Sequence, residues 1–182
     1  YDYAAHVPAH AVRMFDELLT PVTSPALVWR ATNGHAPPLR SAADLAGHAL
    51  LEEDDHRPSA ESLSWRRWLR ERGAPGLEPR RWIYLNYTHQ QVQAALAGQG
   101  VALARMAMVH DVLARGELVE PFGAAGRVGA PFSYWLIALP GARLRPELRA
   151  FLAWVRAEAA ATRAALGPLP PGSAMHARRA SP

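Results

Sequence analysis

Thr88-His89-Gln90-Gln91-Val92-Gln93-Ala94-Ala95-Leu96-Ala97-Gly98-Gln99-Gly100-Val101-Ala102-Leu103 is the stretch that decides how this chain is built. Val92, Ala95 and Leu96 recur at the spacing of one helix face. Thr88 stands just before that face and reads as its N-cap, because a hydroxyl there can accept from the orphaned first N–H groups of a helix. Gly98 and Gly100 then break the helix, and residues 101–103 form a short apolar strand. A helix feeding a buried strand through a glycine turn is the repeating step of an α/β fold.

The same step appears on both sides. Upstream, residues 80–87 favour a strand through Trp82, Ile83, Tyr84 and Leu85. Before that, Trp65, Trp68 and Leu69 fall at helical spacing with Arg66, Arg67 and Arg70 opposite, and Gly73 is placed to end the helix. Leu50-Leu51 reads as a buried strand, after a short helix opened by Ser41 and Asp44 at capping-box spacing. Residues 13–22 read as an extended strand ending at the turn signal Thr23-Ser24-Pro25, with the proline-rich Ala36-Pro37-Pro38 beyond. Downstream, a helix over 108–115 turns Val109, Val112 and Leu113 inward, and strands follow at 118–122 and 132–139. Pro146 opens a last helix with the stripe Leu148, Phe151, Leu152 and Val155. The tail from Gly167 has no period and reads as disordered. Alternating strands and helices with short connections predict largely parallel pairing.

Composition narrows the function. The 182 residues are 49% hydrophobic, enough for one core or two small lobes without disulfides, and there is no cysteine to make them. The net charge is +4, but all 20 basic residues are arginine and they lie scattered beside Glu and Asp. Nucleic-acid binders concentrate such charge on one face, so direct nucleic-acid binding is not expected. No segment approaches the ~18 uninterrupted apolar residues of a membrane helix. A chain that starts at Tyr1, without Met or a signal peptide, reads as a fragment or a processed product.

Three blocks carry a resemblance. They are Phe15-Asp16-Glu17-Leu18-Leu19-Thr20-Pro21-Val22-Thr23-Ser24-Pro25-Ala26-Leu27, then Gln93 through Leu103 as quoted above, then Tyr134-Trp135-Leu136-Ile137 with Phe151-Leu152-Ala153-Trp154-Val155 beyond. Asp44-Leu45-Ala46-Gly47-His48-Ala49-Leu50-Leu51 and the paired tryptophans lie between the first two. In order and spacing, over roughly residues 13–160, the chain resembles the effector-binding domain of LysR-type transcriptional regulators. Within that family it is most similar to the branch of the glycine-cleavage activator and the β-lactamase regulators.

The resemblance implies an α/β fold of periplasmic-binding-protein type II, with one complete regulatory lobe and part of the other. The winged helix-turn-helix, the linker helix and the early first lobe have no counterpart here. Residues 1–23 would be the end of the first lobe and a crossover strand, 24–133 the second lobe, 134–166 the return and a C-terminal helix, and 167–182 the tail. A small-molecule effector would sit between lobes. Asn86, Tyr87, Thr88 and His89 would offer one wall at a helix start, where N–H groups and partial positive charge favour an anionic or amide oxygen. Ser24, Phe132 and Ser133 would offer another. Four of these also have a plainer role: Thr88 as a cap, Ser24 in a turn, Tyr87 in packing and His89 at the surface. DNA would be reached only through the absent N-terminal domain, the protein would be a cytoplasmic homodimer or homotetramer, and neither catalysis nor a cofactor is expected. The alternative is a solute-binding protein of a transport system with the same fold.

Other constellations are weaker. Glu52-Glu53-Asp54-Asp55 with His56 reads as a solvated loop, since adjacent residues seldom converge on one ion. His6 and His10 have Pro8 between them and no Glu beside them, so a zinc-protease helix is excluded. Gly98-Gln99-Gly100 lacks a third glycine and follows a helix rather than opening one. Trp65 and Trp68 read as core. No metal is expected.

Overall fold

The structure, a computed structural model, describes residues 2–54, 58–139 and 145–167. Its strands are β1 (Val12–Val22), β2 (Ala49–Glu53), β3 (Arg81–Leu85), β4 (Val101–Arg105) and β5 (Val128–Leu136). Its helices are α1 (Pro25–Thr32), α2 (Trp65–Glu71), α3 (Thr88–Leu96), α4 (Met106–Ala114) and α5 (Pro146–Leu166), with 3-10 turns at Ala4–His6, Ala42–Gly47, Pro58–Leu63 and Gly123–Gly126. The chain forms two compact units, residues 19–128 and the flanking pair 1–18 with 129–182. These divisions stand beside the sequence boundaries at 23/24 and 133/134.

In the 19–128 unit the strands run in the order β3-β2-β4-β1. β2 pairs parallel with β3, Leu50 opposite Trp82, and with β4, Leu51 opposite Ala102. β1 pairs antiparallel with β4, Val22 opposite Ala102. The ladder is therefore mixed, where the sequence suggested mostly parallel pairing. Leu50, Leu51, Val101, Ala102 and Ala104 are fully buried in it. Strands covered on both faces read as continuous apolar runs, and these do.

Trp65 and Trp68 are buried, with rings edge-to-face at 5.3 Å. Each indole N–H also finds an acceptor: Trp65 Nε1 donates to the Leu51 carbonyl at 3.0 Å and Trp68 Nε1 to the Gly126 carbonyl at 2.7 Å. Two aromatic side chains thus bury large apolar faces without stranding a polar group.

Four local expectations change. Residues 25–32 are a helix, not the sequel of a turn. Ser24 Oγ accepts from the Leu27 N–H at 3.3 Å and Pro25 occupies the first helical turn, so the Ser-Pro pair is a helix start. Residues 118–122 form no strand; Val119 makes one bridge to Thr23, Pro121 has no N–H to give, and Glu120 turns to Arg127 and Thr20. The helix expected at 108–115 begins at Met106, and Met106 and Val109 are buried while Val112 and Leu113 are half-buried. Glu52 and Glu53, expected in a solvated loop, belong to β2 and are half-buried; Asp55 and His56 lie outside the described residues.

In the flanking unit the first half of β1 neighbours β5, which runs from Val128 to Leu136 rather than over 132–139. Tyr134 donates its hydroxyl to Glu17 Oε2 at 3.2 Å, and Trp135 Nε1 donates to the Asp2 carbonyl. The stripe expected on α5 is only partly covered. Phe151 and Trp154 are exposed, Leu148, Leu152 and Val155 are half-buried, and the buried positions are Ala159 and Leu166. The tail after Gly167 lies outside the described residues.

Candidate functional site

Parallel strands place ligands beyond their carboxyl ends, where the connections to the next helices begin. In the 19–128 unit that end holds Glu52 and Glu53 of β2, the link from β3 into α3, and Arg105 of β4. Leu19, Leu63, Thr88, Gln91 and Leu103 complete a small cavity of about 20 Å³, room for one water or one polar atom of a ligand. Gln91 is 3% exposed and lines this cavity. Its side-chain amide carries both a donor and an acceptor.

Each carboxylate has a specific environment. Glu52 Oε2 accepts the Trp65 N–H at 3.2 Å, at the start of α2. Burial nevertheless raises its pKa to about 7, against the opposing pull of the Trp65 and Glu53 N–H groups and of Arg66. Glu53 Oε2 accepts the Thr88 hydroxyl at 2.8 Å and lies 3.9 Å from the Arg105 guanidinium. Nearby, burial pushes Glu120 upward, but hydrogen bonds from Arg127 and Thr20 outweigh it and hold the carboxyl below its usual range.

The residues expected in the first wall do meet at one place. Tyr87, in extended backbone, is the N-cap of α3 and caps it with no side chain. Thr88 is the first helical residue, so its hydroxyl is free to reach Glu53 instead of capping its own helix. Tyr87 and His89 are exposed and stack at 5.5 Å. The exposed Asn86 directs its N–H to Gln90 Oε1 at 3.1 Å. The result is a helix start with exposed aromatic and polar side chains and N–H groups that no side chain satisfies.

Ser24 lies at the opposite end of α3. Its hydroxyl caps α1 and would sit 3.3 Å from a Cβ on Gly98. Phe132 and Ser133 are buried within the flanking unit. Phe132 packs on Tyr3 at 4.4 Å. Ser133 Oγ accepts from Arg13 Nε at 3.2 Å and donates to Asp16 Oδ1 at 2.8 Å. The sequence did not single out Glu52, Glu53, Gln91 and Arg105 together, because only the fold brings them to one strand end. Among the described residues no group of three or more His, Asp or Glu could hold a metal ion.

A family model described as the LysR substrate binding domain matches residues 6–160. The chain belongs to this family. The LysR domain is 30% identical to the glycine cleavage system transcriptional activator of Escherichia coli (strain K12) over 149 residues, which are 82% of this chain and 45% of that protein. It is 31% identical to the transcriptional activator AmpR of Pseudomonas aeruginosa over 146 residues, 80% of this chain and 44% of that protein. The solved effector domain of AmpR from Pseudomonas aeruginosa superposes with a TM-score of 0.61 at 29% identity, covering 86% of this chain and 69% of that chain. The fold is that of periplasmic-binding-protein type II. These curated relatives are transcriptional regulators, and the solute-binding alternative gains no support. The LysR domain spans less than half the length of either of them. Among its described residues no helix is long and apolar enough to cross a membrane.

Proposed function

We propose that this LysR domain senses a small-molecule effector and reports occupancy to a DNA-binding segment in a longer, cytoplasmic, oligomeric regulator. Asn86, Tyr87, Thr88 and His89 are the ligand wall supplied by the 19–128 unit. Ser24, Phe132 and Ser133 are the remaining candidates for effector contacts. The observation that carries this reading is the uncapped α3 start at the carboxyl end of the parallel strands, in a chain of this family.

Such a start favours an effector with a carboxylate or amide oxygen, which the N–H groups and helix dipole would hold. Gln91 adds a buried amide below it. The domain acts without catalysis: a ligand that binds one conformation better shifts the population toward it by its differential affinity. The test is a thermal-shift screen of the protein against small carboxylate metabolites, repeated on Asn86→Ala/His89→Ala. A ligand that binds the folded state raises Tm by mass action. The expected result is a metabolite whose Tm shift falls by at least half in the double variant. An undiminished shift there would place the effector elsewhere.

A further inference from the structure

The opposite end of the same parallel strands carries a second cavity, of about 470 Å³, within the size range of small-molecule pockets. Its rim is built from the residues that enter each strand: His48 and Ala49 at β2, Arg80 and Arg81 at β3, and the turn Gly98-Gln99-Gly100 at β4. α1 adds Arg30, and the following loop adds His35. Three arginines and two histidines thus line one cavity, and none of its lining residues is acidic.

Five of the other arginines in the unit are ion-paired. Arg67 pairs with Glu71, Arg70 with Glu61, Arg105 with Glu53, Arg115 with Glu117 and Arg127 with Glu120. Among the described residues, Arg30, Arg80 and Arg81 have no carboxylate partner within 4.0 Å. Like charges gathered without a counter-charge repel, and an anion shared among them removes that repulsion while gaining charge-assisted hydrogen bonds.

The cavity is also a fixed shape. A Cβ on Gly100 would lie 2.5 Å from the Ala49 carbonyl oxygen, and one on Gly47 would lie 2.6 Å from Pro37 Cβ. His48 is 4% exposed and its Nε2 donates to the Pro38 carbonyl at 3.0 Å, which orients the ring. His35 stacks on Trp29 at 5.6 Å.

We infer that this cavity is a binding site for a compact polyanion, a small phosphate- or polycarboxylate-bearing molecule held by Arg30, Arg80 and Arg81. It is separate from the α3 start. Five-residue strands rising about 3.3 Å per residue put the two ends roughly 15 Å apart. A concave site fits a small anion better than the convex backbone of a nucleic acid.

Isothermal titration of the 182-residue chain with pyrophosphate, and separately with citrate, tests this at low salt. The expected result is one saturable site per chain for at least one of them. Arg81→Gln and Arg30→Gln should each weaken it tenfold or more, and Gln99→Glu, which adds an acid to an exposed rim position, should abolish it. Arg115→Gln, whose arginine is paired and lies outside the cavity, should leave it unchanged, as should Asn86→Ala. Circular dichroism of each variant checks that it is folded. Absence of saturable binding, equal binding in Arg81→Gln and Gln99→Glu, or a preference for a short DNA duplex over both small anions would overturn the proposal.

Discussion

The two ends of the β2-β3-β4 ladder solve opposite electrostatic problems. At the carboxyl end, acids are drawn inward and each is held by a group from a distant part of the chain: Trp65 for Glu52, Thr88 and Arg105 for Glu53. At the amino end, Arg30, Arg80 and Arg81 stand at the surface of an open cavity with no acid among its lining residues. Both ends belong to one sheet, so backbone geometry does not cause the difference. It comes from which side chains the connections deliver. Charge that is buried needs partners inside the chain, whereas charge left at a cavity mouth can take its partner from solution.

The strongest way to break the contrast is to neutralise the buried end. Glu52 has its pKa raised from 4.5 to about 7, so the folded state binds more protons than the unfolded state between those values. Stability therefore falls as pH rises through that window, by up to about 3 kcal/mol. Glu52→Gln should recover much of that at pH 8 and flatten the profile of denaturant midpoint against pH between 4.5 and 7. An unchanged profile would show that Glu52 is not the group responsible.

Gly100→Ala attacks the shape of the other end. The new methyl would strike the Ala49 carbonyl, part of the β2 backbone, and should cost about 2 kcal/mol in chemical denaturation. Thr88→Val keeps the side-chain shape but removes the donor to Glu53, for an expected loss of about 1.5 kcal/mol. Arg80→Gln should change stability by less than about 0.5 kcal/mol, since it removes an exposed charge with no ion pair. A loss as large as that from Thr88→Val would mean that the amino end is stabilised from within after all.

What could be read from sequence follows the same division between local and distant causes. The α3 stripe, the tryptophan pair, and the strands at β2 and β4 were visible because each depends on residues within one element. α1 was hidden by a Ser-Pro pair that suits both a turn and a helix start; the Leu27 N–H on Ser24 decides between them. Residues 118–122 have strand-like composition but no ladder partner beyond Thr23, and ladder partners are set by topology. Glu52 and Glu53 look solvated in sequence because Trp65, Thr88 and Arg105, which accommodate them, lie at least 12 residues away. Asn86 to His89 are legible as a helix start because they are consecutive, but that the Thr88 hydroxyl reaches Glu53 depends on where the fold places β2.

Glu52 and Glu53 are consecutive, so their side chains leave opposite faces of β2. One accepts the backbone N–H of the first residue of α2, and the other the hydroxyl of the first residue of α3. This dipeptide therefore sets the seating of two helices, and a frame shift of one position would reverse both assignments at once. In a scan of single-residue insertions and deletions, any change within residues 49–53 should abolish the fold. Substitution at either glutamate would be tolerated far better than moving it.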